Sequence, residues 1–161
     1  MSSGLKGEQL ISKAAEIAEK WHDGQVHSFG DDTYYNMHLK PVADIVTRLG
    51  YGAMYVAGAY LHDSKEDTTI TDEDLLGEGI PTEVVHAVNL LAKKDGEHHE
   101  DYLRGIITSA IATVDKYADS SFNFSWTTLN SPNGDDTKFA SRHLEYAHNI
   151  AVLRPHLPET S

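Results

Sequence analysis

The residues best suited to chemistry stand together at Leu61-His62-Asp63-Ser64-Lys65-Glu66-Asp67-Thr68. They follow a run, Tyr51 to Tyr60, that carries no charge and reads as the body of a buried helix. An imidazole and three carboxylates are thereby set at the edge of a core, where unpartnered hydrophilic groups cost several kcal/mol. A metal ion is the usual partner when His and Asp sit side by side. On a helix His62 and Glu66 share a face, as do Asp63 and Asp67, because residues four apart are stacked. The stretch suggests two ligands, with a second acidic pair one turn further on.

Two further residues complete a possible ligand set: His38 at the mouth of a helix, and Asp119 at the end of a long one. Two imidazoles and two carboxylates suit a first-row divalent metal with open positions, rather than a closed structural zinc site. Such a metal lowers the pKa of bound water and polarises a phosphoryl oxygen.

Helices must position these groups. Glu8 to Trp21 has Leu10, Ala14, Ile17, Ala18 and Trp21 on one stripe, with Gly24 as C-cap. Val26 to Asn36 reads as a loop around Gly30-Asp31-Asp32. His38-Leu39-Lys40-Pro41 opens a second helix with Val42, Ile45, Val46 and Leu49 inward, ended by Gly50. Ala53 to Ser64 is the central helix, and Thr71-Asp72-Glu73-Asp74 starts a short one that stops at Gly77. Pro81 opens a helix carrying Val84, Val85, Val88 and Leu91, and Lys93 to Glu100 is a turn. Asp101 to Ala118 is predicted as one long helix, continuing or kinking into Ser120 to Phe124. Trp126 to Asp136 is the longest predicted loop. A last helix, Thr137 to Leu153, packs Phe139, Leu144, Ala147 and Ile150, before a loose tail. With no repeat and no convincing strand, the class is all-α: six or seven helices in one bundle-like domain, its core at residues 8–155.

The chain's 161 residues suffice for one domain with a real core. No run approaches the apolar length needed to span a bilayer, and no secretory signal precedes the first helix. A soluble, cytoplasmic protein is expected. The absence of cysteine excludes disulfides and thiolate zinc sites. A formal charge of -12 argues against nucleic acid and anionic membranes as partners. A phosphorylated substrate would need a cation and local lysines to reverse that field. The sequence leaves the oligomeric state open.

In order along the chain, His22 to Gln25, Tyr35 with His38, Leu61 to Thr68, and Lys116 to Asp119 with Asn123 form a consistent series. This series resembles the HD-domain metal-dependent phosphohydrolases, and within them the guanosine polyphosphate (ppGpp) hydrolase branch, including its small stand-alone forms. The resemblance covers residues 8–155, and Leu-His-Asp-x-x-Glu-Asp-Thr is its most specific motif. It implies an HD-type helical bundle and a metal, usually manganese, held by His38, His62, Asp63 and Asp119. It also implies that Glu66 and Asp67 position or deprotonate the attacking water, in keeping with a carboxylate acting as general base. Asn123, one turn after Asp119, would meet the substrate sugar or phosphate. Lys116 reaches a phosphate or neutralises the acidic cluster.

The sequence departs from that pattern where Arg and Lys usually follow the first Gln. Val26-His27-Ser28 stands there, so both fixed cations are gone. His27 could stack on a base, but it is a weaker charge at neutral pH. Leu39 replaces the usual Pro after the first metal His, and Phe122 and Asp115 flank Asp119. Three functions follow: hydrolysis of a small nucleotide such as guanosine tetraphosphate, hydrolysis of another nucleotide or phosphomonoester, or a metal-dependent nucleotide-binding module without turnover. The remaining histidines, His22, His86, His98, His99, His143, His148 and His156, read as surface residues.

Overall fold

Leu10, Ala14, Ile17 and Ala18 recur at helical spacing and are buried along one side of α1 (Gly7–Trp21). The computed structural model describes residues 4–27, 32–130 and 137–160. The expected turn at Gly30-Asp31 and most of the long loop before Thr137 lie outside those residues. A π-helical turn, Tyr35–Leu39, runs directly into α2 (Lys40–Arg48), where Pro41 occupies the first turn and Val42, Ala43 and Val46 are buried. Gly50 then reverses the chain at a φ of 91°, a left-handed value glycine takes without strain.

At the centre lies α3 (Ala53–Leu61), buried without a break from Val56 to Leu61. It packs against α1, α2, α6 (Thr82–Leu91) and α8 (Ala110–Leu129), so it is apolar all round rather than amphipathic. The predicted central helix ran on to Ser64; here it stops at Leu61 and restarts as the one-turn α4 (Ser64–Asp67). The cause is local. His62 Nδ1 and Ser64 Oγ bond the carbonyls of Ala59 and Leu61 at 2.5 and 2.7 Å, competing with the helical ladder. The short α5 (Asp72–Gly77) begins with the expected capping box between Thr71 and Asp74.

The predicted helix from Asp101 is two: α7 (His99–Ile106) and α8. Ser109 divides them, its hydroxyl accepting from the Ala112 N–H as an N-cap. In the other direction α8 is longer than expected and runs through Trp126 to Leu129, which the sequence places in a loop. The last helix, α9 (Thr137–Leu153), has its predicted span but buries Asn149 and Leu153, while Leu144 is 69% exposed. After a 3-10 turn at Arg154–His156 the tail folds back, with Tyr51 donating from its hydroxyl to the Pro158 carbonyl at 2.7 Å. Among the described residues there is no strand beyond one bridge, Val26 to Thr33, and no helix long and apolar enough to cross a membrane. The all-α bundle expected from the sequence is the fold observed.

Among the described residues, one buried carboxyl has no hydrogen-bond partner. Asp115 on α8 is wholly buried, and neither carboxyl oxygen meets a donor. It faces α3 at Gly58, where any Cβ would run into Asp115 Oδ2 and stand 2.9 Å from Ile111 Cγ2. Burial pushes this carboxyl well above its usual range, Asp119 adding to the rise and His62 opposing it. The native state therefore holds its proton more tightly than the unfolded chain does. Stability from this group is complete below the unfolded carboxyl value and is lost as pH rises through the native one. Asp115→Asn, neutral throughout, is expected to flatten that decline in urea unfolding over about pH 4 to 8. Parallel profiles for the two proteins would count against a protonated Asp115.

Candidate metal centre and adjoining cavity

Four elements deliver four ligand-type side chains to one point. The π-turn carries His38, the C-cap of α3 is the buried His62, the α3–α4 junction carries Asp63, and α8 carries Asp119. The two imidazole Nε2 atoms lie 3.1 Å apart. His38 Nε2 is 2.9 Å from Asp119 Oδ1 and 3.5 Å from Asp63 Oδ2. His62 Nε2 is 3.1 Å from Asp63 Oδ2 and 3.3 Å from Asp119 Oδ1. Ligand atoms of His38, His62 and Asp63 all lie within 4.8 Å of one another, a grouping able to hold a divalent metal.

The surroundings fit such an ion. The His62 Nδ1–H is taken by the Ala59 carbonyl, which leaves the Nε2 lone pair facing the cluster. Tyr34 donates from its hydroxyl to Asp63 Oδ2 at 2.5 Å and stacks on His38 at 5.1 Å between centroids. Burial works against charge on His62, but Asp63 and Asp119 outweigh it and hold the imidazole well above its ordinary value. Asp119 is held well below its usual range: burial opposes this, and Lys116 and the two imidazoles overcome it. The neighbouring groups thus keep the buried Asp63 and Asp119 carboxyls ionised, the form in which a carboxylate can hold a cation.

Beyond the ligand cluster opens a cavity of about 290 Å³, at the small end of the range for ligand pockets. Its polar wall carries Lys116, Asn123, Arg142 and Tyr146; its aromatic wall carries His27, Trp126 and Phe139. Lys116 Nζ is 3.2 Å from Asp119 Oδ2, and Asn123 donates from Nδ2 to Asp119 Oδ1 at 3.2 Å. Burial disfavours charge on Lys116, yet Asp119 and Tyr102 keep it protonated.

Of the residues singled out from sequence, the structure brings together His27, His38, His62, Asp63, Lys116, Asp119 and Asn123. Glu66 and Asp67 stand one turn further on, in α4, and are not among the cavity-lining residues. Glu66 Oε1 accepts from the Lys93 N–H at 2.7 Å, and Asp67 Oδ2 accepts from Gln25 Nε2 at 3.2 Å. Both carboxyls are raised, by burial first, with the charge of Asp63 contributing to each. His22, expected on the surface, is buried and pairs through Nδ1 with Gln25 Oε1 at 2.8 Å.

Sequence reasoning missed Tyr34, Trp126 and Arg142. Tyr35 was the tyrosine matched beside His38, but its ring stacks on Tyr60, and Tyr34 is the one that reaches Asp63. Arg142 and Tyr146 are four apart on α9, so an Arg and a Tyr on one helical face were the available signal.

No family model matches the chain. The chain is 40% identical over 65 residues to a GTP pyrophosphokinase of Streptomyces antibioticus, covering 40% of this chain and 8% of that protein. It is 36% identical over 86 residues to a probable GTP pyrophosphokinase of Mycobacterium leprae, covering 53% of this chain and 10% of that protein. With a GTP pyrophosphokinase of Myxococcus xanthus the identity is 34% over 84 residues, 52% of this chain and 11% of that one. The chain thus spans about a tenth of the length of these curated relatives. A solved structure of a metazoan orthologue of SpoT that hydrolyses ppGpp and plays a role in starvation responses matches with a TM-score of 0.72 at 20% identity. That match covers 92% of this chain and 87% of the other, and the two share the fold.

Proposed function

We propose that this protein is a metal-dependent phosphohydrolase of a small nucleotide, with guanosine 3',5'-bis(diphosphate) as its substrate and the 3'-pyrophosphate as the group released. The convergence of His38, His62, Asp63 and Asp119 beside a cavity of about 290 Å³ is the observation that carries this reading. His38, His62, Asp63 and Asp119 would hold the ion, with manganese the choice that the sequence resemblance favours. When bound, a divalent ion lowers the pKa of a water and draws charge from a phosphoryl oxygen.

The chain's own side chains supply the rest. Lys116 and Arg142 offset the charge of the phosphates in a protein of net charge -12. Asn123 and Tyr146 offer hydrogen bonds to the sugar side. Glu66 takes the proton of the attacking water, and its raised carboxyl is better matched to that task than an ordinary glutamate. Water adds to phosphorus, the bond from phosphorus to the 3' oxygen breaks, and the products are a free 3'-hydroxyl and pyrophosphate. A cluster suited to a water-activating ion supports hydrolysis over pyrophosphate transfer.

Two observations favour narrower or weaker readings. His27 in place of a fixed cation favours a different nucleotide or a phosphomonoester. The absence of Glu66 and Asp67 from the cavity lining favours a binding module. Purified protein with manganese, offered a nucleotide panel and monitored for phosphate and pyrophosphate, separates the three. Glu66→Gln is expected to slow turnover roughly 100-fold, the usual worth of a positioned base, while nucleotide binding persists. Tight binding without product in the unaltered protein would establish the module instead.

A further inference from the structure

The cavity contains one donor that the proposed chemistry does not use. Trp126 sits in the last turn of α8 and lines the cavity, and its indole Nε1–H is buried with no acceptor among the described residues. A buried donor without an acceptor loses its hydration and gains no bond in exchange. Such a group persists where a ligand completes it. Among the other polar groups lining this space, Asn123 and Lys116 both reach Asp119, and Tyr34 reaches Asp63. The His27 ring packs edge-on against the indole at 5.1 Å between centroids, and Phe139 lines the same cavity. These aromatic side chains thus share one cavity with Lys116 and Arg142.

We infer that Trp126 is the residue that reads the nucleoside end of the ligand. Its indole ring packs against the base, and its Nε1–H donates to an oxygen or nitrogen acceptor on the base or attached sugar. The His27 imidazole is the group that yields to admit it. This inference rests on the proposal that the cavity takes a nucleotide. It adds that affinity and base choice are set by an aromatic side chain and one neutral donor, in place of the fixed cations missing after Gln25. A flat base on an aromatic ring is sequence-tolerant by itself, so the indole donor supplies the discrimination.

The chain has two tryptophans, Trp21 and Trp126, so Trp21→Phe leaves Trp126 as the single fluorescent reporter. In that background with manganese present, GDP, ADP and guanosine 3',5'-bis(diphosphate) are expected to change Trp126 emission on binding. Inorganic pyrophosphate and ribose 5-phosphate, which lack a base, are expected to leave it unchanged. Trp126→Phe keeps a flat ring and loses the donor, and should raise KM or Kd by about 3- to 10-fold. Trp126→Leu loses both and should raise it by about 10- to 100-fold, with the effect on KM rather than kcat. Emission that ignores every nucleotide, or unchanged KM and Kd in both variants, overturns the role of Trp126. Binding with the expected Trp126 response but without product overturns hydrolysis and leaves this inference standing.

Discussion

Asp63→Asn is expected to lower nucleotide hydrolysis by at least about 100-fold, beyond what the loss of a supporting group alone costs. The side chain keeps its shape in this variant and loses its charge. Asp63 Oδ2 lies 3.1 Å from His62 Nε2 and 3.5 Å from His38 Nε2, and it also accepts the Tyr34 hydroxyl. Asparagine placed there can turn its amide nitrogen toward the imidazoles, which replaces a ligand with a donor. Manganese titration by calorimetry should show weakened binding in step with the lost rate, since one group serves both. Tyr34→Phe gives the graded comparison: the carboxylate stays and its supporting hydroxyl goes, so a loss of about 10-fold is expected. Turnover by Asp63→Asn within a few-fold of the unaltered protein would remove the metal from the mechanism.

The second large effect is on stability. Gly58→Ala should destabilise the fold by about 3 kcal/mol, the upper part of the range for overpacking a core. The new methyl would collide with Asp115 Oδ2 and crowd Ile111, and α3 is enclosed by four other helices, so it has little room to retreat. The same change displaces the helix end that presents His62, so activity should fall with stability. Asp115→Ala in the Gly58→Ala background removes the colliding carboxyl and should recover most of the loss. Asp115→Ala alone should be close to neutral, because the small cavity it leaves is offset by removal of an unpaired buried carboxyl. Urea midpoints of the four proteins form a double-mutant cycle, and additive effects would show that the two residues do not meet.

Much of this molecule could be read from residue spacing. The inward stripes of α1, α2 and α6 and the capping box at Thr71 are periodic or local signals, and they fixed helices where they were expected. The motif at His62 and the more distant His38 and Asp119 could be singled out from residue type and spacing, and the fold brings them together. What escaped was set by side chains competing with the backbone or by contacts across the bundle. His62 and Ser64 break a helix that their apolar neighbours would continue. Thr127 extends α8 past its expected end: buried, it bonds the Asn123 and Phe124 carbonyls and meets His143 of α9 at 2.6 Å. That extension carries Trp126 out of the predicted loop and into the cavity wall. Arg142 and Tyr146 lie on a face of α9 whose apolar pattern is weak, and only the packing of α9 on α8 shows which way they point.

The bond between Tyr51 and Pro158 also fixes where the end of the described chain leaves the body. Residues 158–160 lie beside Gly50 and Tyr51, just ahead of α3, while His62 closes that helix at its other end. Nine residues at 1.5 Å each separate the two points by about 13 Å along the axis. A biotin or surface anchor attached beside Thr160 would therefore hold the molecule near the end of α3 opposite His62. That makes this the natural point from which to immobilise it for sensor measurements of nucleotide capture.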